Sequence, residues 1–169
     1  MKRAILAALL ACAAAPALAQ ERENVYGTLG FTYLNDDEFG LGAITARAGY
    51  EFNPSFAVEG ELSYGIFDDE IDGAGGADAD IELGVTFGAF GVYRAPVSDA
   101  VTLFARGGLY RIEFDVEGND GNNDDIAPAF GGGAEVNFDD RNALRFGLTF
   151  ADVGDNSVEL FEASFLRRF

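Results

Sequence analysis

Apolar and polar residues alternate at a period of two along almost the whole chain after residue 24, and clusters of Asp, Asn, Gly and Pro interrupt the alternation. A period of two places successive side chains on opposite faces of an extended strand, and the interruptions read as turns. Eight strands are predicted: Asn24–Leu34, Gly42–Phe52, Phe56–Gly65, Asp80–Tyr93, a fifth from Val101, Ile126–Phe138, Ala143–Ala151 and Val158–Phe169. In the first, Val25, Gly27, Leu29, Phe31 and Tyr33 share one face; in the seventh, Leu144, Phe146, Leu148 and Phe150 do.

The fifth strand breaks the rule. Its odd positions are apolar as far as Leu109, after which Tyr110, Ile112, Phe114 and Val116 take the even positions and Arg111, Glu113 and Asp115 the odd. A slip of one residue reverses every side chain, so a bulge near Gly107-Gly108 or an upper half clear of the apolar zone is expected. The connections alternate too. Those at Asn53–Ser55, Arg94–Ala100 and Asp139–Asn142 are short, whereas Asn35–Leu41, Phe67–Ala79, Glu117–Asp125 and Asp152–Ser157 are acidic and on the whole longer. Antiparallel neighbours reverse direction each time, so the short turns share one rim and the acidic loops the other.

The two strand faces differ in chemistry. Leaving aside the upper fifth strand and Glu159, the apolar face carries no charge in these segments before Arg167, while the other holds Arg47, Glu51, Glu59, Glu61, Glu82, Arg106, Glu135, Arg145, Glu162 and Arg168. A soluble ligand barrel of the lipocalin kind turns the apolar face inward; a transmembrane barrel does the reverse. Volume favours the second, because an eight-stranded barrel has an interior just wide enough for side chains. The Phe, Tyr, Leu and Ile of the apolar face would overfill it, whereas the Gly, Ala, Ser and Thr of the other leave room for its long charged groups. The strands have the ~9 to 11 residues that a tilted membrane strand needs. Aromatics near strand ends, among them Tyr50, Phe52, Phe56, Tyr93 and Phe138, suit interfacial girdles. The expected fold is an all-β, eight-stranded antiparallel up-and-down transmembrane barrel, its last strand pairing with the first and Phe169 meeting lipid at the rim of the short turns.

The first nineteen residues stand apart. Met1-Lys2-Arg3, an apolar run from Ala4 to Ala15 and Ala17-Leu18-Ala19 before Gln20 have the layout of a secretory signal, which makes residues 20–169 the barrel domain. Leu9-Leu10-Ala11-Cys12 also resembles a lipoprotein processing box, but the apolar run before it is short. Cleavage after Ala19 removes Cys12, the one cysteine, and histidine is absent throughout. Disulfides, thiol catalysis and Cys-ligated zinc are then excluded. Loss of Lys2 and Arg3 takes the net charge from −18 to −20, which argues against nucleic acid as a partner.

Candidate chemistry is confined to two places. The ten charges of the polar face read as a luminal network of ion pairs, since an unpaired charge inside is very costly. Arg47 is expected to meet Glu51, Glu59 or Glu61, and Arg106 or Arg145 to meet Glu82 or Glu135. The rival reading is a narrow pore, favouring cations because Glu outnumbers Arg. Catalysis lacks a base for Ser63 or Ser164, so no enzyme is expected. The acidic loops, with Asp68, Asp69, Glu70, Asp72, Asp120, Asp124 and Asp125, lack the spacing of a calcium loop. They read as a solvated surface facing the divalent-cation layer of lipopolysaccharide; neither cofactor nor resident metal is expected.

The segments VYGTLGFTYL, ARAGYEFNPSFAVEGELSYG, VTLFARGGLYR and AFGGGAEVNF, with the terminal Phe169, resemble the small outer membrane β-barrel proteins of Gram-negative bacteria, of the OmpA transmembrane-domain and OmpX type, across the whole mature chain. The resemblance implies a monomeric outer membrane protein with a structural or surface-interaction role, in contact with membrane lipid and lipopolysaccharide. It also implies that the barrel-assembly machinery reads the last strand. The terminal Phe169 carries that signal, Phe165 is the nearest aromatic before it, and Arg167 occupies the intervening position where such barrels carry an aromatic. No peptidoglycan-binding domain is expected, so cell-wall tethering is not carried over.

Overall fold

A computed structural model describes residues 24–35, 40–67, 69–72, 78–83, 85–116, 123–153 and 156–169. The signal segment lies outside the described residues, as do Asp68 and Asp120. The described residues form ten strands: β1 (Val25–Asn35), β2 (Gly40–Asn53), β3 (Phe56–Phe67), β4 (Asp69–Asp72), β5 (Asp78–Leu83), β6 (Val85–Pro96), β7 (Val101–Val116), β8 (Asn123–Asn137), β9 (Asn142–Val153) and β10 (Asn156–Arg168). β4 follows β3, and β6 follows β5, after a single residue, and β4 pairs with β5 as β3 pairs with β6. Each couple is thus one long stave, and the staves number eight. All pairings are antiparallel, and the ring β1-β2-β3-β6-β7-β8-β9-β10 closes where Tyr26 faces Arg168 and Asn35 faces Glu159. Closure leaves no sheet edge within the barrel wall, which hydrocarbon would not tolerate.

The short turns are tied by side-chain oxygens. Asn53 Oδ1 accepts from the Ser55 and Phe56 amides at 2.9 and 3.0 Å, Ser98 Oγ from Val101 at 3.1 Å, and Asp139 Oδ1 from Arg141 and Asn142 at 2.8 and 2.7 Å. Local capping of this kind is why Asn, Ser and Asp occupy turns. These three capping side chains, one in each short turn, fix the reversals from which the strand registers run.

The alternation sorts inside from outside. Leu29, Ile44, Phe87, Leu109, Phe130, Phe146 and Phe161 point out and are exposed, whereas Thr28, Arg47, Glu61, Thr86, Glu135 and Arg145 point in and are buried. The inverted, lipocalin-like arrangement is thereby overturned. Aromatics form a belt near the turn rim, with Tyr50 and Phe52 edge to face at 5.4 Å and Phe56 and Tyr93 tilted at 5.2 Å.

Two expectations are corrected. β7 keeps one register with β6 from Thr102 to Arg111 and with β8 from Val101 to Phe114, so there is no bulge at Gly107-Gly108. The even positions of β7 face inward as far as Tyr110, which is buried and shares a 2.8 Å hydrogen bond with Thr86. At Tyr110 the break in pattern is an aromatic inside the lumen, and the side chains of Ile112, Phe114 and Val116, on which the alternative of an upper half clear of the apolar zone turns, lie outside the described residues. Second, parts of the acidic connections are strand: β4 and β5 form a hairpin, and β7 and β8 pair up to Phe114 opposite Asn123.

Candidate functional site: the ionic lumen

Inward-pointing residues stack in layers along the barrel. Nearest the turn rim, the Arg94 guanidinium bonds Glu51 and Glu135, and Arg168 reaches the same two carboxylates, with Nη2 to Glu135 at 2.8 Å and Nε to Glu51 at 3.5 Å. Above it, Arg47 Nε meets Glu61 at 2.7 Å and Nη2 meets Glu162 at 2.6 Å. Arg106 donates to Glu61 at 2.7 Å and to Thr149 Oγ1 at 2.9 Å, and lies 3.5 Å from Glu162. Arg145 binds Glu59 and lies 3.1 Å from Glu162 through Nε. Glu162 therefore stands among three guanidinium groups.

Aromatic rings finish the enclosure. Arg145 lies 3.9 Å over the Phe104 ring, Arg106 4.3 Å over Phe90, and Arg94 4.9 Å over Tyr26. Cation–π contact of this kind strengthens where water is excluded. The planar guanidinium can fork to two carboxylates and stack on a ring at once, which a lysine ammonium cannot do. Toward the loop rim come hydroxyls, Thr32 with Thr45 at 2.7 Å and Thr45 with Ser63 at 2.8 Å, and then Leu34, Leu41, Val158 and Leu160, all buried.

Of the ten charges read from the sequence, Arg47, Glu51, Glu59, Glu61, Arg106, Glu135, Arg145, Glu162 and Arg168 point inward and take part in these contacts. The side chain of Glu82 lies outside the described residues. Arg47 takes Glu61, one of its three expected partners, whereas Arg106 and Arg145 take Glu61, Glu59 and Glu162 and not the expected Glu135. Arg94 was missed, because the sequence reading begins a turn there. It continues the inward series Thr86, Gly88, Phe90 and Val92 at the same spacing, which is the signal that finds it. With Arg94 included, five arginines face five glutamates among the described residues, and Glu82, the sixth glutamate of the expected excess, has its side chain outside them.

A barrel with apolar exterior and paired ionic interior has its counterpart in sequence. The profile of the family described as outer membrane protein beta-barrel domain matches residues 4–169. The chain belongs to the outer membrane protein beta-barrel domain family. This outer membrane barrel is similar in fold to Ail, the attachment invasion locus protein of Yersinia pestis, at TM-score 0.60 and 17% identity over 88% of this chain and 99% of that one. OprG from Pseudomonas aeruginosa superposes at TM-score 0.66 with 12% identity, over 88% and 97% of the two chains. A de novo designed transmembrane β-barrel matches at 0.56 with 13% identity, over 89% and 99%. That one fold spans a natural surface protein and a designed barrel shows how little it says about activity. No curated protein sequence matches the chain.

Proposed function

We propose that this outer membrane barrel is a monomeric, non-catalytic scaffold whose lumen is locked by its Arg/Glu network and whose biological contacts are made by the acidic strands and loops beyond the loop rim. The observation that carries the reading is the burial of the network. Arg145 and Glu135 are 0% exposed and Glu162, the most accessible of the mid-lumen set, 6%. The lining of a water-filled path would be wetted.

Membrane lipid is the partner of the exposed apolar band, and lipopolysaccharide, through bridging divalent cations, that of the acidic rim. Orientation follows from the turn rim, which holds both Asn24 and Phe169 and faces the periplasm. Phe169 with Phe165 is the signal for the barrel-assembly machinery. In support, the Phe169 amide donates to Val25 O at 3.0 Å and its ring lies beside Gly27, holding the terminus against the first strand.

The test is planar-bilayer recording on refolded, heat-modifiable protein. A silent membrane is the expected result. Cation-selective steps that lose selectivity in Glu59→Gln would replace the plug by a pore.

A further inference from the structure

Apart from Glu135 Oε1, which lies in the layer of Arg94 and Arg168 nearest the turn rim, the unpartnered buried polar atoms described in the lumen gather in one place. Thr28 Oγ1, Ser164 Oγ, Arg47 Nη1 and Nη2, Arg145 Nε and both oxygens of Glu162 are buried without a hydrogen bond of good geometry. All five residues are more than nine-tenths buried. Strand registers make them neighbours across the closing seam: Thr28 faces Arg47 on β2, Ser164 faces Gly30 on β1 and Arg145 on β9, and Glu162 is one inward position along β10 from Ser164. Glu162 faces Gly147, so glycines stand opposite both Ser164 and Glu162 and let the two side chains pass close to the neighbouring strands, a Cβ on Gly30 meeting Ser164 Cβ at 2.4 Å and one on Gly147 meeting the Glu162 carboxyl carbon at 3.0 Å.

Part of this shortfall has an electrostatic answer. Arg47 Nη2 and Arg145 Nε lie 2.6 and 3.1 Å from the Glu162 oxygens, close enough to neutralise charge although the angles are poor. Arg47 Nη1 and the hydroxyls of Thr28 and Ser164 have no such answer. A buried donor left unmade costs about 1–3 kcal/mol, and natural interiors meet such groups with water that makes about three hydrogen bonds. Three groups of this kind, one an obligate donor and two hydroxyls that can donate or accept, match a water's capacity. Charge selects water over an anion, because Arg47, Arg106 and Arg145 already balance Glu59, Glu61 and Glu162.

We infer that the β1–β10 seam holds a structural water site formed by Arg47, Thr28 and Ser164 beside Glu162. The water accepts from Arg47 Nη1, donates to one or both hydroxyls, and links the first strand to the last from inside the barrel.

A high-resolution crystal structure of the full mature chain, grown with bromide in place of chloride, tests this. The expected result is an ordered peak without anomalous signal, within hydrogen-bond distance of Arg47 Nη1 and at least one of the two hydroxyls, which Ser164→Ala weakens. A bromide peak there would make the site an anion site and overturn the proposal. So would hydroxyls turned onto strand carbonyls with no peak between them. Nuclear magnetic resonance in micelles reads the same occupancy in solution: long-lived water cross-peaks to the Thr28 and Ser164 amides are expected, diminished in Ser164→Ala, and their absence from the folded wild-type barrel overturns the site.

Discussion

The Tyr26 hydroxyl donates to Glu59 Oε1 at 2.6 Å while the ring of the same residue lies under Arg94, so one side chain joins the two ionic layers of the lumen. Tyr26→Phe keeps the ring and removes the donor. A hydrogen bond to a charged group is worth about 1.5–3 kcal/mol, and a loss of that order is expected in urea unfolding followed by gel mobility. Tyr26→Leu, which also removes the cation–π contact, is expected to lose more.

Arg145 is the cation most deeply enclosed, and Glu59 is its bonded partner. Arg145→Met strands a buried carboxylate and should cost about 3–5 kcal/mol. Adding Glu59→Gln should recover part of the loss. A double-mutant cycle in unfolding free energy checks this, and additive single effects would show that the pair is not coupled.

Glycines of the wall differ in the room around them. A Cβ on Gly133 would sit 1.9 Å from Phe146 O, and one on Gly108 2.0 Å from Ala89 O, whereas Gly60 and Gly107 have nothing within 4 Å. Gly133→Ala and Gly108→Ala are expected to destabilise by at least the ~1–3 kcal/mol of ordinary overpacking. Gly60→Ala and Gly107→Ala, which face outward, should refold like the wild type, and the yield of heat-modifiable protein compares all four.

Lipid exposure gives an independent handle. Phe130 points outward from β8, faces Phe150 on β9 and stacks on it at 5.7 Å. A basic residue on the lipid face near mid-membrane costs about 2–4 kcal/mol, so Phe130→Arg should refold poorly into bilayers. Equal refolding of Phe130→Arg and Phe130→Leu would contradict the assignment of that face.

The turn at Asp139 carries a pH dependence outside the membrane span. Hydrogen bonds from the Asn142 side chain above all, and from the Arg141 and Asn142 amides, hold the Asp139 carboxyl below its ordinary value. A depressed folded value means that the stabilisation is fully present above the unfolded value, about 3.9, and fades as pH falls through the lower folded one. The stability gap between wild type and Asp139→Ala should therefore be constant near neutrality and shrink on acidification below about pH 4.

Much of this architecture is legible in the chain because a strand's period fixes which side each residue takes, as for Leu29 outward and Arg47 inward. What escaped had three physical causes. Turn boundaries are set by capping, so Arg94 was placed in a turn that begins three residues later, at Val97. Partners across the lumen depend on the stagger between strands, which alternation does not encode; hence Glu162 could be read as luminal yet not as the meeting point of Arg47, Arg106 and Arg145. Tyr110 misled for a third reason, since an aromatic inside a narrow barrel mimics a reversal of face.

Every positive group identified inside this barrel is a guanidinium, and none is an amine. A guanidinium carries five N–H donors in one rigid plane, whereas an ammonium is a point charge that can turn freely. Each cross-link of the plug therefore fixes a direction as well as a charge, and the interior is braced like a truss, its members resisting shear between the staves they join.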